Sequence, residues 1–419
     1  MHDDTIAAAV GALGEAPLTE DALRAHIFPL FSRVLKHGAE RGEIYLANHS
    51  LGRPLDRTAE DVARGVDLWY REMDGAWEDW VAEINTFRRG IARLIGLARD
   101  DAVVPKAAAG QGLRAVLNAL PAAVPSVVAT TGEFDSIDFA LKTYAHKGRA
   151  RVSWARPDGE GLFHADDVIA RITDQTDLVV VSHAIFATGQ LVEGIDRIVA
   201  AARRHGALVL LDTYHTAGVM PVGFDALGVD FAIGGSYKYT RGGPGACWLA
   251  VAPRHLRGEG EPPADGLFTL DTGWFAKRGT FAYERTPTPE LSAGGDAWME
   301  STPAVLAAYH AKAGLELTLG IGVDRLRAYN ILQQARLASA LREHGVEPRL
   351  IEPRGAFLLV PHLDASAVSR RLKTLGVNTD ARPCPSGRTR HIRLCPDILT
   401  TAEEIDRAAA LVARALSEF

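Results

Sequence analysis

The sequence predicts an α/β protein, with a mostly parallel sheet between helices and a smaller α+β unit toward its C-terminal end. Three observations carry this. The middle of the chain alternates short, β-branched, almost uncharged runs with amphipathic helical segments. From about residue 302 the pattern changes to two long helical stretches, an apolar strand, a helix, a second strand and a final helix. At 419 residues the chain also exceeds what one hydrophobic core usually serves, so a large and a smaller domain are expected.

The elements follow in order. Residues 1–43 read as helical, with LRAHIFPLFSRVL as the apolar stripe, and IYLANHSLGRPL (44–55) as a short strand and a glycine–proline turn. Residues 57–97 keep helical periodicity through the tryptophan-rich LWYREMDGAWEDW. KAAAGQGLRAVLNAL (106–120) is a small-residue turn opening a helix. SVVATT, ARVSWA, DLVVVSH and ALVLLD have the composition of buried parallel strands. The helical segments FDSIDFALKTYAHK, DDVIARITD and EGIDRIVAAARRHG lie between them. TPAVLAAYHAKAGLELTLGIG and RLRAYNILQQARLASALREHG are long helices, AFLLVPHL and HIRLC strands, and TAEEIDRAAALVARALSEF the last helix. The expected divisions are 1–55, a helical segment packing with the small domain; 56–301, the large domain; and 302–419, the small domain.

Composition narrows the function classes. Net charge is −6, from 46 basic and 52 acidic residues, so no basic footprint for nucleic acid is expected. No apolar run approaches the ~20 residues of a membrane span. The first residues are acidic and lack the basic start and apolar core of a secretory signal. Cys247, Cys384 and Cys395 have neither disulfide-framework nor metal-ligand spacing. These features fit a protein of the reducing cytoplasm, with no metal site expected.

In open α/β sheets ligands sit beyond the carboxyl ends of the strands. Asp212 ends ALVLLD, where a carboxylate after five apolar residues is costly without a partner. It is either a cap for the next helix or the charge partner of a cofactor. His215, three residues on, would by itself be a structural histidine. Lys238 follows an apolar strand, lies between Tyr237 and Tyr239, and precedes the glycine-rich turn 242–245. Most lysines are solvated surface groups, but partial burial beside positive charge frees a neutral, nucleophilic amine. Pyridoxal 5′-phosphate (PLP) needs a lysine for a Schiff base and an acid that keeps its ring nitrogen protonated. Asp212 and Lys238 meet both needs. Phe134, after SVVATT, could stack on the ring, and the turn opening at residue 106 could present N–H groups to the phosphate.

The segment from TGQLVEGID to SYKYTRGGPG, with its T-G-Q, D-x-x-H-x-x-G, G-V-D-F-A, S-Y-K-Y and G-P-G patterns, resembles the class V aminotransferases, fold type I, and kynureninases among them. Weaker similarity runs through IYLANHSLGRP, EFDSIDFAL, TGWF, STPAVL and GVNTDARP…HIRLCP. The resemblance implies a mostly parallel seven-stranded sheet and a homodimer with active sites at its interface. It implies that Lys238 links to PLP and shuttles the Cα proton, that Asp212 partners the ring nitrogen, and that His215 is a cofactor-site neighbour. Phe134 resembles the stacking aromatic, and Tyr237 a phosphate-binding tyrosine that assists proton transfer. Ala109, Gly110, Ser136 and Ser182 align with cofactor-contacting positions, as do Trp274 and Thr302, these two across the dimer interface. Arg393 resembles the arginine that clamps the substrate α-carboxylate, and Ser50 aligns with a substrate-pocket position. An ion pair with Asp380 is the other reading of Arg393.

The departures concern the substrate. The Gly-His pair of kynureninases, whose histidine serves the aryl pocket, falls on MDGAWEDW, which has Trp77 and Trp80 and no histidine. The asparagine expected near STPAVL is Thr302, and an expected acidic residue falls on Ile137. Hydrolytic Cβ–Cγ cleavage releasing alanine is the leading reaction. β-Elimination, desulfuration through Cys384 and transamination are alternatives within the family. A nicotinamide oxidoreductase, suggested by the G-x-G-x-x-A run from Gly110 to Ala115 with Glu133 as its acid, is a distant one.

Overall fold

The computed structural model describes residues 4–258, 266–387 and 389–419, so residues 1–3 of the expected N-terminal helical region lie outside it. Helices Asp4–Leu13, Glu20–His26 and Ser32–Glu40 lead into a two-residue strand, β1 (Ile44–Tyr45). Helices Arg57–Glu72 and Trp77–Ile95 follow, broken between them where Met73 takes a positive φ of 51°.

The central sheet holds β2 (Val103–Lys106), β3 (Ser126–Thr130), β4 (Arg151–Ala155), β5 (Leu178–Ser182), β6 (Leu208–Asp212), β7 (Phe231–Gly235) and β8 (Cys247–Val251). Its order is β2-β8-β7-β6-β5-β3-β4. β7, β6, β5, β3 and β4 run parallel; β8 alone is reversed, and the edge strand β2, antiparallel to β8, shares the direction of the five. This is the seven-stranded, mostly parallel sheet expected. β5 and β7 are buried throughout, as strands covered on both faces must be. Pro105 sits on the edge strand β2, where its missing N–H costs no ladder bond to a further neighbour. Gly234 is required by packing, because a Cβ there would lie 2.1 Å from the buried Trp248 ring.

Beyond the long helices Val305–Ile321 and Val323–Glu343 come β9 (Leu358–His362), β10 (Val377–Asn378), β11 (Asp380–Pro383) and β12 (Arg390–Leu394). β9, β11 and β12 form an antiparallel sheet, in the order β11-β12-β9, backed by helices Ala365–Thr374 and Ala402–Leu416. β1 pairs in parallel with β10, and Ala47 bridges to Cys395, so the segment after the N-terminal helices lies against this C-terminal sheet. Leu23, Ile27 and Phe31 of the N-terminal helices share a core with Leu317 and Ile321 of the long helix and with Ile398 and Leu399. Among the described residues no helix is long and apolar enough to cross a membrane.

Candidate active site

β3 has its two successors in sequence, β4 and β5, on opposite sides, which opens a crevice at the carboxyl ends of the parallel strands. The polar residues collect there. β3 delivers Thr130 and, in the turn beyond, Glu133 and Phe134. β5 ends on Ser182 and β6 on Asp212, directly paired in register. β7 leads through Ser236 and Tyr237 to Lys238.

Lys238 is buried, 4% exposed, with Nζ 2.6 Å from His215 Nε2. Nζ also lies 5.5 Å from the Phe134 ring centre and 5.7 Å from those of Tyr214 and Tyr237. Burial pushes the ammonium pKa down; the Asp212 charge opposes this and Arg393 adds to it. The Asp212 carboxyl is pushed up by its own burial, against a hydrogen bond of 2.9 Å donated by Tyr214 N–H and the charge of Lys238. Burial, then Lys238 and Arg393, hold His215 well below the usual imidazole range, so its ring is neutral. The result is an amine that gives up its proton readily, beside a carboxylate placed to hold one.

A second buried acid was not expected here. Glu133 accepts 2.6 Å hydrogen bonds from the hydroxyls of Thr130 and Ser182. Burial pushes its carboxyl up to about 7, against those two bonds, with the Asp212 charge adding to the rise. This overturns the dinucleotide reading, in which Glu133 would be free to take a ribose. The helix Ala109–Leu117 that carries the G-x-G-x-x-A run also follows the edge strand β2, which pairs only with the reversed strand β8 and has no parallel neighbour to complete a βαβ unit.

Arg393 lies on β12 directly opposite Asp380 on β11. Its Nε donates to Asp380 Oδ1 at 2.8 Å and its Nη2 to Oδ2, while Nη1 donates to the carbonyl of Phe186. The guanidinium carbon sits 5.5 Å from the Phe357 ring centre, and the rings of His49 and His215 lie 5.0 and 6.2 Å from it. Phe357 therefore joins the arginine to the lysine–histidine pair. The ion pair with Asp380, the second reading of this arginine, is present.

The other expected positions divide. Ser182 points into the crevice through its bond to Glu133. Ala109 and Gly110 are half-buried at their helix N-terminus, and Ser136 is exposed in the first turn of helix Asp135–His146. Trp274 and Thr302 are bonded to each other, indole Nε1 to Oγ1 at 3.1 Å, within an aromatic group with Trp77, Phe275 and Phe281. Ser50 is exposed, and its neighbour His49 is the residue that enters the network, through Asp380. Sequence reasoning gave Glu133 only to the nicotinamide reading, although it stands just past a strand end as Asp212 stands on one. His49 carried no local signal.

The donor set suits PLP. An amine of lowered pKa lies among three aromatic faces, and a buried acid ends the neighbouring strand. Ser236 Oγ and His215 Nδ1 are buried without a partner, as polar groups waiting for a ligand are.

The profile of class V aminotransferases matches residues 68–353. A kynureninase of Bacillus cereus is 26% identical over 403 residues, 90% of each chain. A kynureninase of Salinispora tropica is 29% identical over 368 residues, 81% of this chain and 83% of its own. Among solved structures, the cystine C–S lyase C-DES, complexed with cysteine persulfide, has a TM-score of 0.75 at 18% identity, covering 88% of this chain and 97% of that one. The cysteine desulfurase CsdA of Escherichia coli has a TM-score of 0.77 at 16% identity, covering 96% of this chain and 100% of its own. These structures share the fold, PLP fold type I. The chain belongs to the class V aminotransferase family, and its cofactor is pyridoxal 5′-phosphate.

Proposed function

We propose that this protein is a homodimeric, cytoplasmic enzyme that cleaves the Cβ–Cγ bond of an L-α-amino acid bearing a γ-carbonyl, adding water and releasing alanine and a carboxylic acid. The observation that carries this reading is the similarity to kynureninases across nine-tenths of the chain. PLP, when bound, supplies the electron sink for a carbanion at the substrate Cα. Lys238 would hold the cofactor covalently until the substrate amine displaces it, and its freed, readily neutralised amine would then take the Cα proton. Asp212 keeps the ring nitrogen protonated. Tyr237 and Ser236 would offer hydroxyls to the phosphate, and the helix opening at Ala109 its first N–H groups. Arg393 holds the substrate α-carboxylate.

Cysteine burial favours hydrolysis over desulfuration. All three cysteines are buried, and Cys384, the candidate persulfide carrier, is 3% exposed with its thiol accepting from Ser386 Oγ at 3.3 Å. A desulfurase needs a thiol that reaches the substrate sulfur. The dimer is supported by the aromatic group at Trp77 and Trp274, which continues through Trp80 to the exposed Trp69, 55% accessible, and to Phe281, 43% accessible. Sedimentation tests the dimer. The reaction is tested by incubating the enzyme with aryl and alkyl γ-oxo amino acids, cysteine and alanine, and measuring alanine, pyruvate and ammonia. Alanine released in step with a carboxylic acid supports the proposal. Pyruvate and ammonia in its place would make the enzyme a β-eliminating lyase.

A further inference from the structure

We propose that Asp380, braced by His49, is a positioning residue: it takes one edge of the Arg393 guanidinium and turns the other toward the substrate α-carboxylate. This rests on the amino-acid reading above and refines it. Arginine has five N–H donors. Those on Nε and one on Nη2 go to Asp380, and one on Nη1 goes to Phe186 O. Two remain, one on each terminal nitrogen, which is the number a carboxylate takes in a two-pronged contact. The clamp and the ion pair are thus compatible, and the second sets the direction of the first.

The brace is fixed by the fold. Asp380 and Arg393 are cross-strand partners, so their spacing follows from the register of β11 and β12. His49 Nε2 meets Asp380 Oδ1 at 2.9 Å, and Arg382 Nη2 lies 3.3 Å from Oδ2. His49 is fully buried, with its pKa pushed down to about 4 by burial and by Arg393, so the ring is neutral and acts as a hydrogen-bond donor to the carboxylate. Two guanidiniums against one carboxylate leave one positive charge, the complement of one substrate carboxylate. Phe357 covers one face of the guanidinium.

The test titrates the holoenzyme with L-alanine and with ethylamine, which is alanine without its carboxylate, following the visible band of the bound cofactor. Asp380→Asn is expected to weaken alanine binding ~10-fold or more while ethylamine binding stays within about 2-fold, because only alanine uses the guanidinium edge. His49→Leu should weaken alanine alone to a lesser degree, and His49→Gln, which keeps a donor, should restore it. Equal weakening of both ligands, or none with alanine, would mean that Asp380 only ties β11 to β12, and the proposal falls. If Asp380→Asn does not fold, the His49 pair decides by the same comparison. A wild-type enzyme that does not prefer alanine to ethylamine would instead overturn the carboxylate role of Arg393, and the brace with it.

Discussion

Gly52 links the N-terminal segment to the turn that carries Lys238, and replacing it should be costly in a calculable way. Its N–H donates to Tyr237 O at 2.8 Å, and a Cβ built on it would lie 1.9 Å from the carbonyl oxygen of Lys238. A tolerable contact needs a shift of more than about 1 Å between the two backbones. The segment cannot take up that shift alone. Leu46 O accepts from Cys395 N at 2.8 Å, Asn48 Nδ2 donates to Cys395 O at 2.9 Å, and Arg53 Nη2 donates to Asp397 Oδ1 at 2.5 Å. The Lys238 turn must therefore move. A misplacement of about 1 Å in a reacting group costs up to ~10²-fold in rate, about 2.7 kcal/mol in the barrier. Overpacking adds a stability loss of about 1–3 kcal/mol. Gly52→Ala should thus lower kcat by one to two orders of magnitude while still folding. Gly38→Ala is the control, since nothing lies within 4 Å of its added Cβ. The assay is steady-state kinetics with thermal melting on both variants. Wild-type kcat in Gly52→Ala would refute the coupling of this segment to the lysine.

Asp212→Ala should lower kcat about 10²–10³-fold with the cofactor retained, as removal of a group that stabilises developing negative charge does; wild-type kcat at full cofactor occupancy contradicts its role. Glu133 holds its proton in the folded state up to about pH 7, against an ordinary value of 4.5, so the native protein binds more protons than the unfolded chain in that window. Stability from this group is therefore lost as pH rises through about 7, at about 1.4 kcal/mol per unit of displacement. Glu133→Gln should remove that loss, seen as a urea midpoint that falls less between about pH 5 and pH 8 than in wild type; parallel pH profiles refute it. Cys384→Ser should leave turnover within about 2-fold, as a surface-remote, non-participating thiol would; abolition of activity would restore desulfuration as the reaction.

The parts of the site that were legible in the sequence are those where a strand end and a polar residue coincide. Asp212 and Lys238 stood out because each breaks an apolar run at the point where the chain leaves the sheet. The same rule applied to Glu133 would have placed it in the crevice, but its distance along the chain from the glycine run at 110–115 drew it into a different reading. The Asp380–Arg393 contact depended on the register of two short strands, which hydrophobic pattern alone does not fix. His49 reaches Asp380 across 331 residues of chain, so no spacing signal connects them. Trp274 and Thr302 were legible as positions, yet in the single chain they bond to each other within an aromatic surface group.

If Lys238 holds the cofactor, reduction with borohydride followed by peptide mapping will find the cofactor on that residue. The protein loaded with PLP should carry one stable pyridoxyl group per chain, on the peptide containing Ser236–Arg241, and Lys238→Ala should carry none. A label on another lysine, or an undiminished label in Lys238→Ala, would contradict the assignment.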